Sequence, residues 1–441
     1  MLAGLALLWA SPVLFAQTPT PPKNPAFADQ PEATPPDSEA EKVAAQIESV
    51  QTRIREAYKQ DPPPYEDIAA MYDEIFAIAP HQQAGKAAVW ESYVLYRRAG
   101  DSSAALSTLS KIYAFYPYDT TMDNPVDPEH PINMRATADI ERAGLYSESL
   151  GSPMTAVEQM QSISVRYPGT YVGLTDEERS YAGPVDVIVM LKFVDALYNS
   201  GQYNQAVLKL RELLGKYAGQ KVGDAGGLRE IDWLAARHMD KIIDKIPATT
   251  TKKLVELEEL AKLTTSDLAL AEILFTRAKI YEERFVELKG SGDLAQAEEA
   301  YRGIITQYAE LRYETYEGEQ AVGPRAVAAM MRLYTEKAKR PERALNLALE
   351  LEKIGQKADP TGATSAYARL HRGALYLNEL NNPQQAITTF RGFGEDFPAV
   401  VVYPHREKSP ELLFEVAKRL ENQARETLLE TVPAPHVKDA P

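Results

Sequence analysis

An all-α array of helical hairpins is the fold class this sequence predicts, and three observations predict it. Apolar residues recur at helical spacing through most of residues 39–430. A turn-forming residue, a small residue five positions later and an aromatic eleven positions after that come back several times. Proline or alanine then ends the run. In such an array each hairpin covers its neighbour, so a length of 441 residues does not count globular domains.

Residues 1–16, MLAGLALLWASPVLFA, are uncharged and mostly apolar. That suits the apolar core of a secretory signal and is short of the ~20 residues a membrane span needs. The expectation is an export signal ending at Ala16, although no Lys or Arg precedes it and Leu14 stands where a small residue is usual. Residues 17–38 hold Pro19, Pro21, Pro22, Pro25, Pro31, Pro35 and Pro36 among polar residues. They read as a disordered linker reaching ~70 Å when extended at ~3.1 Å per residue. Docking of a PxxP-type segment at 19–22 into an aromatic groove is the alternative.

Ser38 can cap a helix to about Lys59, with Val43, Ile47, Val50 and Ile54 on one face. A helix over 65–79 pairs with it. Residues 87–118 then read as two helices folded back on each other. Val89, Tyr93 and Tyr96 line the first, Gly100 permits a left-handed turn, and Ala105 lets the helices approach. Leu109, Ile112 and Tyr116 line the second, and Pro117 stops it.

The pattern returns at Gly151, Ala156, Met160, Ile163, Tyr167 and Pro168, and at Gly201, Ala206, Leu210, Leu213, Tyr217 and Ala218. It returns again at Gly292, Ala297, Tyr301, Ile304, Tyr308 and Ala309, and at Asn381, Ala386, Phe390, Phe393, Phe397 and Pro398. Ile68, Tyr72, Ile75 and Pro80 form a weaker copy, as do Ala344, Ala348 and Leu351.

Connections separate these hairpins. Residues 118–131 carry Asp119, Asp123, Asp127 and Glu129 beside His130, without the glycine and fixed spacing of an EF-hand, so a solvated acidic turn is expected. Residues 169–184 are a second connection. Residues 219–227, GQKVGDAGG, lack the GK[ST] ending and preceding strand of a phosphate loop and read as a flexible bend. Helices near 228–245 and 252–263 make a degenerate unit, with a possible seam between lobes near 219–265. Helices near 267–289 and 293–308, 319–337 and 341–355, then 364–379 and 383–396 continue the array. A terminal helix over 409–429, with Leu412, Leu413, Val416 and Leu420 on one face and charges on the other, caps it. Residues 431–441 are expected to be disordered.

The recurring pattern resembles the tetratricopeptide repeat family. Gly144 matches that family's glycine in the first helix of a pair. Ala105, Ala156, Ala206, Ala297 and Ala386 match its alanine in the second, and Leu109, Met160, Leu210, Tyr301 and Phe390 stand at its second-helix aromatic. Pro80, Pro117, Pro168 and Pro398 match its closing proline. The family's first-helix tryptophan is replaced by Val89, Ile140 and Leu370, and the interval from Pro117 to Pro168 exceeds its ~34-residue period. Each unit therefore carries an extension, and the solenoid is irregular, with about seven or eight helix pairs plus the capping helix. The Tyr-Pro endings are most similar to repeats of exported bacterial envelope proteins.

The net charge of −15 and sequence pI near 5.1 leave no surplus of basic residues for nucleic acid or an anionic membrane. With no cysteine, disulfides, thiolate chemistry and a lipoprotein anchor are excluded. The histidines, His81, His130, His238, His371, His405 and His436, make no HExxH or other ligand-spaced pair, and no GxSxG occurs. No enzyme activity, metal or cofactor is expected.

In the family the first helix of each pair lines a concave groove. Its groove positions carry over to Trp90, Arg97, Glu141, Tyr198, Lys289 and His371, although a slip of one residue would bury Trp90. Aromatics and arginine suit peptide anchoring. The resemblance implies a periplasmic or secreted scaffold that binds envelope proteins or peptide segments. A glycan- or peptidoglycan-binding accessory, or a structural subunit of a secretion or motility machine, is the alternative.

Overall fold

The structure, a computed structural model, describes residues 39–431 except 125, 175–180, 225–226, 316–317 and 403–410. The expected signal at 1–16, the linker at 17–38 and the tail from 432 lie outside the described residues. The chain divides into two compact units, Met1–Asn124 with Pro128–Gln159, and Pro125–Asp127 with Met160–Pro441.

The first unit contains α1 (Glu39–Ala57), α2 (Tyr65–Ile78), α3 (Gln83–Ala99) and α4 (Ser102–Phe115). Short strands β1 (Thr121–Met122) and β2 (Ile132–Asn133) follow, then α5 (Met134–Glu148) and the start of α6 (Pro153–Arg166). The second unit opens with β3 (Tyr171–Val172), β4 (Gly183–Pro184), α7 (Val185–Asn199) and α8 (Tyr203–Tyr217). It continues through β5 (Lys221–Asp224), β6 (Gly227–Glu230), α9 (Ile231–Ile243), α10 (Thr250–Leu263), α11 (Asp267–Leu288) and α12 (Ser291–Gln307). Next come β7 (Arg312–Thr315), β8 (Gly318–Ala321), α13 (Val322–Arg332) with a π-helical extension Leu333–Lys337, and α14 (Pro341–Ala358). It ends with α15 (Ala363–Asn378), α16 (Pro383–Phe390), α17 (Phe393–Asp396), β9 (Val401–Val402), β10 (Glu411–Leu412) and α18 (Leu413–Thr431). The fold is an all-α array of helical hairpins, as the periodicity predicts.

Each full hairpin turns on one left-handed residue. Gly100, Gly151 and Gly201 hold φ of 82°, 61° and 76°, and Asn381 holds 46°. Lys339, at 54°, stands five residues before Ala344 and gives that weak copy its turn residue, although Gly355 stands where the aromatic falls in the others. One assignment is corrected: Lys289 (φ 55°), not Gly292, makes the turn into α12, and Gly292 lies inside that helix. The extra residues lengthen α12 at its start, so the spacing to Ala297 grows. The small residues do what close approach requires, since Ala105, Ala156, Ala206, Ala297, Ala344 and Ala386 are all fully buried.

The extension of the repeat is a β-hairpin. Strands pair antiparallel as Thr121↔Asn133, Tyr171↔Pro184, Lys221↔Glu230, Arg312↔Ala321 and Glu411↔Val402, each between the second helix of one pair and the first helix of the next. In the stretch 219–227, read from sequence as a flexible bend, Lys221–Asp224 and Gly227 are therefore strand residues of a paired ribbon. The five hairpins close alike. The first residue of the next helix, Met134, Val185, Ile231, Val322 or Leu413, donates its N–H to the carbonyl of Thr120, Thr170, Gln220, Leu311 or Val400 at 2.8–3.0 Å. That bond satisfies one of the N–H groups every helix start leaves open. The link from α10 to α11, 264–266, has no strand; buried Asp232 braces it by accepting from the Thr265 N–H at 2.7 Å and the Thr264 hydroxyl at 2.8 Å.

The terminal helix α18 is a cap. Leu413, Ala417 and Ala424 join a buried cluster with Ala386, Phe390 and Phe393, while Lys418, Asn422 and Glu426 face out.

Candidate interaction site

Trp90, Arg97 and Glu141 meet in the first unit, around Tyr93. Trp90 is only 5% exposed, with its ring edge-on to Tyr93 at 6.0 Å, and its indole N–H has no partner. The register that buries Trp90 is the one adopted, so its ring is core and not surface. Arg97, in the last turn of α3, donates to Glu141 at 3.3 Å and Glu148 at 3.1 Å on α5. Glu141 is buried and also accepts from the Tyr93 hydroxyl at 2.8 Å. Burial, then the negative charge of Glu141, hold the Tyr93 phenol well above its ordinary pKa, so it stays a donor.

The other three expected groove residues are spread over the second unit. Tyr198 on α7 is half-buried, edge-on to Tyr203 at 5.6 Å. Tyr203 borders an open depression of about 450 Å³ lined also by Gln202, Lys245 and Pro247. Lys289 is exposed at the α11–α12 turn, its ammonium 5.6 Å from the Phe285 ring. His371 on α15 is half-buried, and burial with the nearby Arg332 charge depresses its imidazole to about 4, leaving it neutral at pH 7. These three do not converge.

Bridges between successive first helices dominate the second unit. The His238 imidazole on α9 lies 3.3 Å from Asp195 on α7. Asp240 on α9 accepts from Thr276 on α11 at 3.2 Å, and Lys279 on α11 pairs with Asp244. Glu272 on α11 pairs with Arg325 on α13, whose guanidinium lies over the Phe275 ring at 3.9 Å and donates to the Tyr313 hydroxyl at 3.1 Å. Glu282 on α11 accepts from Tyr301 at 2.5 Å and pairs with Lys337 in the π-helical turn. Many charges that sequence alone offers as anchors are thus spent within the array. Among the described residues no group of three or more His, Asp or Glu side chains is placed to hold a metal.

The strand edges are the surface that sequence reasoning missed. Gly223 in β5 exchanges two backbone bonds with Ala182, at 2.7 and 2.8 Å, so the β3–β4 and β5–β6 ribbons join edge to edge. Glycine is needed there: a Cβ on Gly183 would stand 2.8 Å from Val222, and one on Gly223 would stand 2.9 Å from Val126. The lengthened repeat period was the only sequence signal.

Residues 367–399 match the tetratricopeptide repeat family model. No curated protein is similar. Among solved structures, a tetratricopeptide repeat protein from Parabacteroides merdae superposes with TM-score 0.30 at 12% identity, over 76% of this chain and 97% of that one. Naa15/Naa10 bound to HypK gives 0.38 at 11%, over 90% of this chain and 57% of that one. The P58(IPK) TPR domain gives 0.21 at 13%, over 89% and 100%.

Proposed function

We propose that this chain is a non-catalytic, tetratricopeptide-type scaffold that holds partner proteins or peptide segments in the bacterial envelope. The observation that carries this reading is the array itself: one stretch matches a tetratricopeptide repeat, and the same left-handed turn and buried alanine recur along the chain. Stacked hairpins present extended surfaces and hold them rigidly, which is the physical requirement of a docking platform. Export rests on the apolar start at 1–16 and the absence of cysteine, which suit an oxidising envelope compartment.

The test is affinity capture of the tagged chain from crosslinked cells, beside a Tyr198→Ala, Lys289→Glu, His371→Ala variant. Trp90 is left intact because its removal would open the core. Envelope proteins captured by the parent and lost by the variant support a scaffold that uses these surfaces. Capture of no protein, together with retention on purified cell wall, would replace this reading with a glycan-binding accessory.

A further inference from the structure

In the second unit, Trp233 and Arg237 stand one turn apart on α9, and β7 and α13 bring Tyr313 and Arg325 beside them. The Trp233 ring lies 5.4 Å from the Tyr313 ring, the Arg237 guanidinium lies 5.7 Å from the Trp233 ring, and the Arg325 guanidinium donates to the Tyr313 hydroxyl at 3.1 Å. Burial raises the Tyr313 phenol pKa and the charges of Arg325 and Arg237 both pull against that rise, so the two guanidinia act on one phenol. Donors in this cluster are left over. Trp233 is 6% exposed and its buried indole N–H has no acceptor. Half-buried arginines elsewhere are held by carboxylates, as Arg97, Arg211, Arg302 and Arg372 are. Half-buried Arg237 has no hydrogen bond and no ion pair among the described residues. Carboxylates of the adjoining turns are engaged elsewhere: Glu272 pairs with Arg325, and Asp240 accepts from Thr276 and lies 3.8 Å from Lys279.

We infer that this cluster is a docking site for an acidic segment of a partner protein, whose Asp or Glu carboxylate pairs with Arg237 beside the Arg325–Glu272 pair. This rests on the scaffold reading and names the chemistry of one partner. A guanidinium presents a planar fork of donors that a carboxylate fills two at a time. The chain carries 63 acidic residues against 48 basic ones, yet the fold brings no described carboxylate to Arg237. The Trp233 ring keeps water off one side of that guanidinium, which strengthens a pair formed there. A single pair of this kind holds a free carboxylate only weakly, so the occupant is a carboxylate carried on a segment with further contacts.

The tryptophans of the full chain, Trp9, Trp90 and Trp233, make indole-labelled nuclear magnetic resonance a direct readout, with the Trp233 signal identified by its loss in Trp233→Phe. The probe is the doubly capped peptide acetyl-Gly-Glu-Glu-Gly-amide, at millimolar concentration and low salt, with its Gln-Gln counterpart as the blank. The acidic peptide is expected to shift the Trp233 indole signal saturably and to leave Trp90 in place, and the blank to shift neither. No shift with the acidic peptide, or equal shifts with both peptides, overturns the inference. So does an equal, saturable shift with sodium acetate at the same carboxylate concentration, since the site would then take any small carboxylate.

Arg237→Gln removes a side chain with no hydrogen bond to lose, so its melting profile should match the parent while its dissociation constant for the acidic peptide rises about tenfold. Arg391→Gln, at an exposed position, should leave that constant unchanged. Equal weakening by both variants would make the attraction a general effect of charge and overturn the inference. A dimer in sedimentation that Arg237→Gln abolishes would give the site to a second copy and overturn it likewise. In capture from crosslinked cells, folded Arg237→Glu is expected to lose at least one partner that the parent holds. Partners retained in full would end this inference and leave the scaffold reading standing. Absence of any partner from the parent chain would end the scaffold reading, whatever the peptide does.

Discussion

Asp359 is a carboxylate with 1% exposure in the turn between α14 and α15. Burial alone would raise its pKa, but hydrogen bonds from the Thr361 and Thr364 hydroxyls and from the backbone of both residues outweigh burial and lower it. A group whose folded pKa is depressed contributes stability above its unfolded value of ~3.9 and loses it as pH falls through the folded value. Asp359→Asn is therefore expected to cost about 1–3 kcal/mol at pH 7. Melts from pH 7 to 3 should show the gap to the parent closing only below ~4; a gap independent of pH would refute the assignment. His371 runs the other way. It is neutral when folded down to about 4, so as pH falls below ~6.5 the unfolded chain takes a proton that the folded chain refuses. Stability should fall between pH 6.5 and 4 less steeply in His371→Gln than in the parent, and nuclear magnetic resonance titration should find the imidazole still neutral at pH 5.

Within single elements, the turns and the ribbons make opposite demands on side chains. Lys339 holds a left-handed conformation that strains any residue with a Cβ by ~1–2 kcal/mol, and its side chain is exposed. Lys339→Gly should raise stability by about 0.5–1 kcal/mol after the entropy of glycine is counted, measured by denaturant melts. Gly223 is under the reverse constraint, because a methyl there runs into Val126. Gly223→Ala should destabilise by about 1–3 kcal/mol and speed amide exchange at Ala182; unchanged exchange would show that the ribbons are not locked together at this point. Sequence made the turns legible at Gly100, Gly151, Gly201 and Asn381, whose residue types favour that conformation. It misplaced the turn at Lys289, because lysine carries no such signal.

The whole chain is a sequence of neighbours, so its stability is a sum of local terms. Leu413 is fully buried where α18 closes the end of the array. Leu413→Ala should cost about 2–5 kcal/mol, and hydrogen exchange should place that loss in α15 to α18 and leave the first unit unaffected. A uniform loss across the chain would contradict local stacking. A net charge of −15 is compatible with such an array, since many carboxylates are bridged to basic partners, as at Glu272, Glu282 and Asp244.

Helical periodicity, the turn residues and the buried alanines determined from sequence alone that this protein is an array of helical hairpins, because helix pairing is a short-range matter of spacing and small contacts. The ribbons between hairpins were decided by tertiary structure. Strands of two to four residues are too short to show alternation, and backbone bonds that no side chain encodes hold them. The same holds for the candidate surfaces. Whether Trp90 faced solvent or core turned on one residue of register, and whether Arg97 and Glu141 were free or paired depended on the neighbouring helix. Only the folded chain brings those helices together.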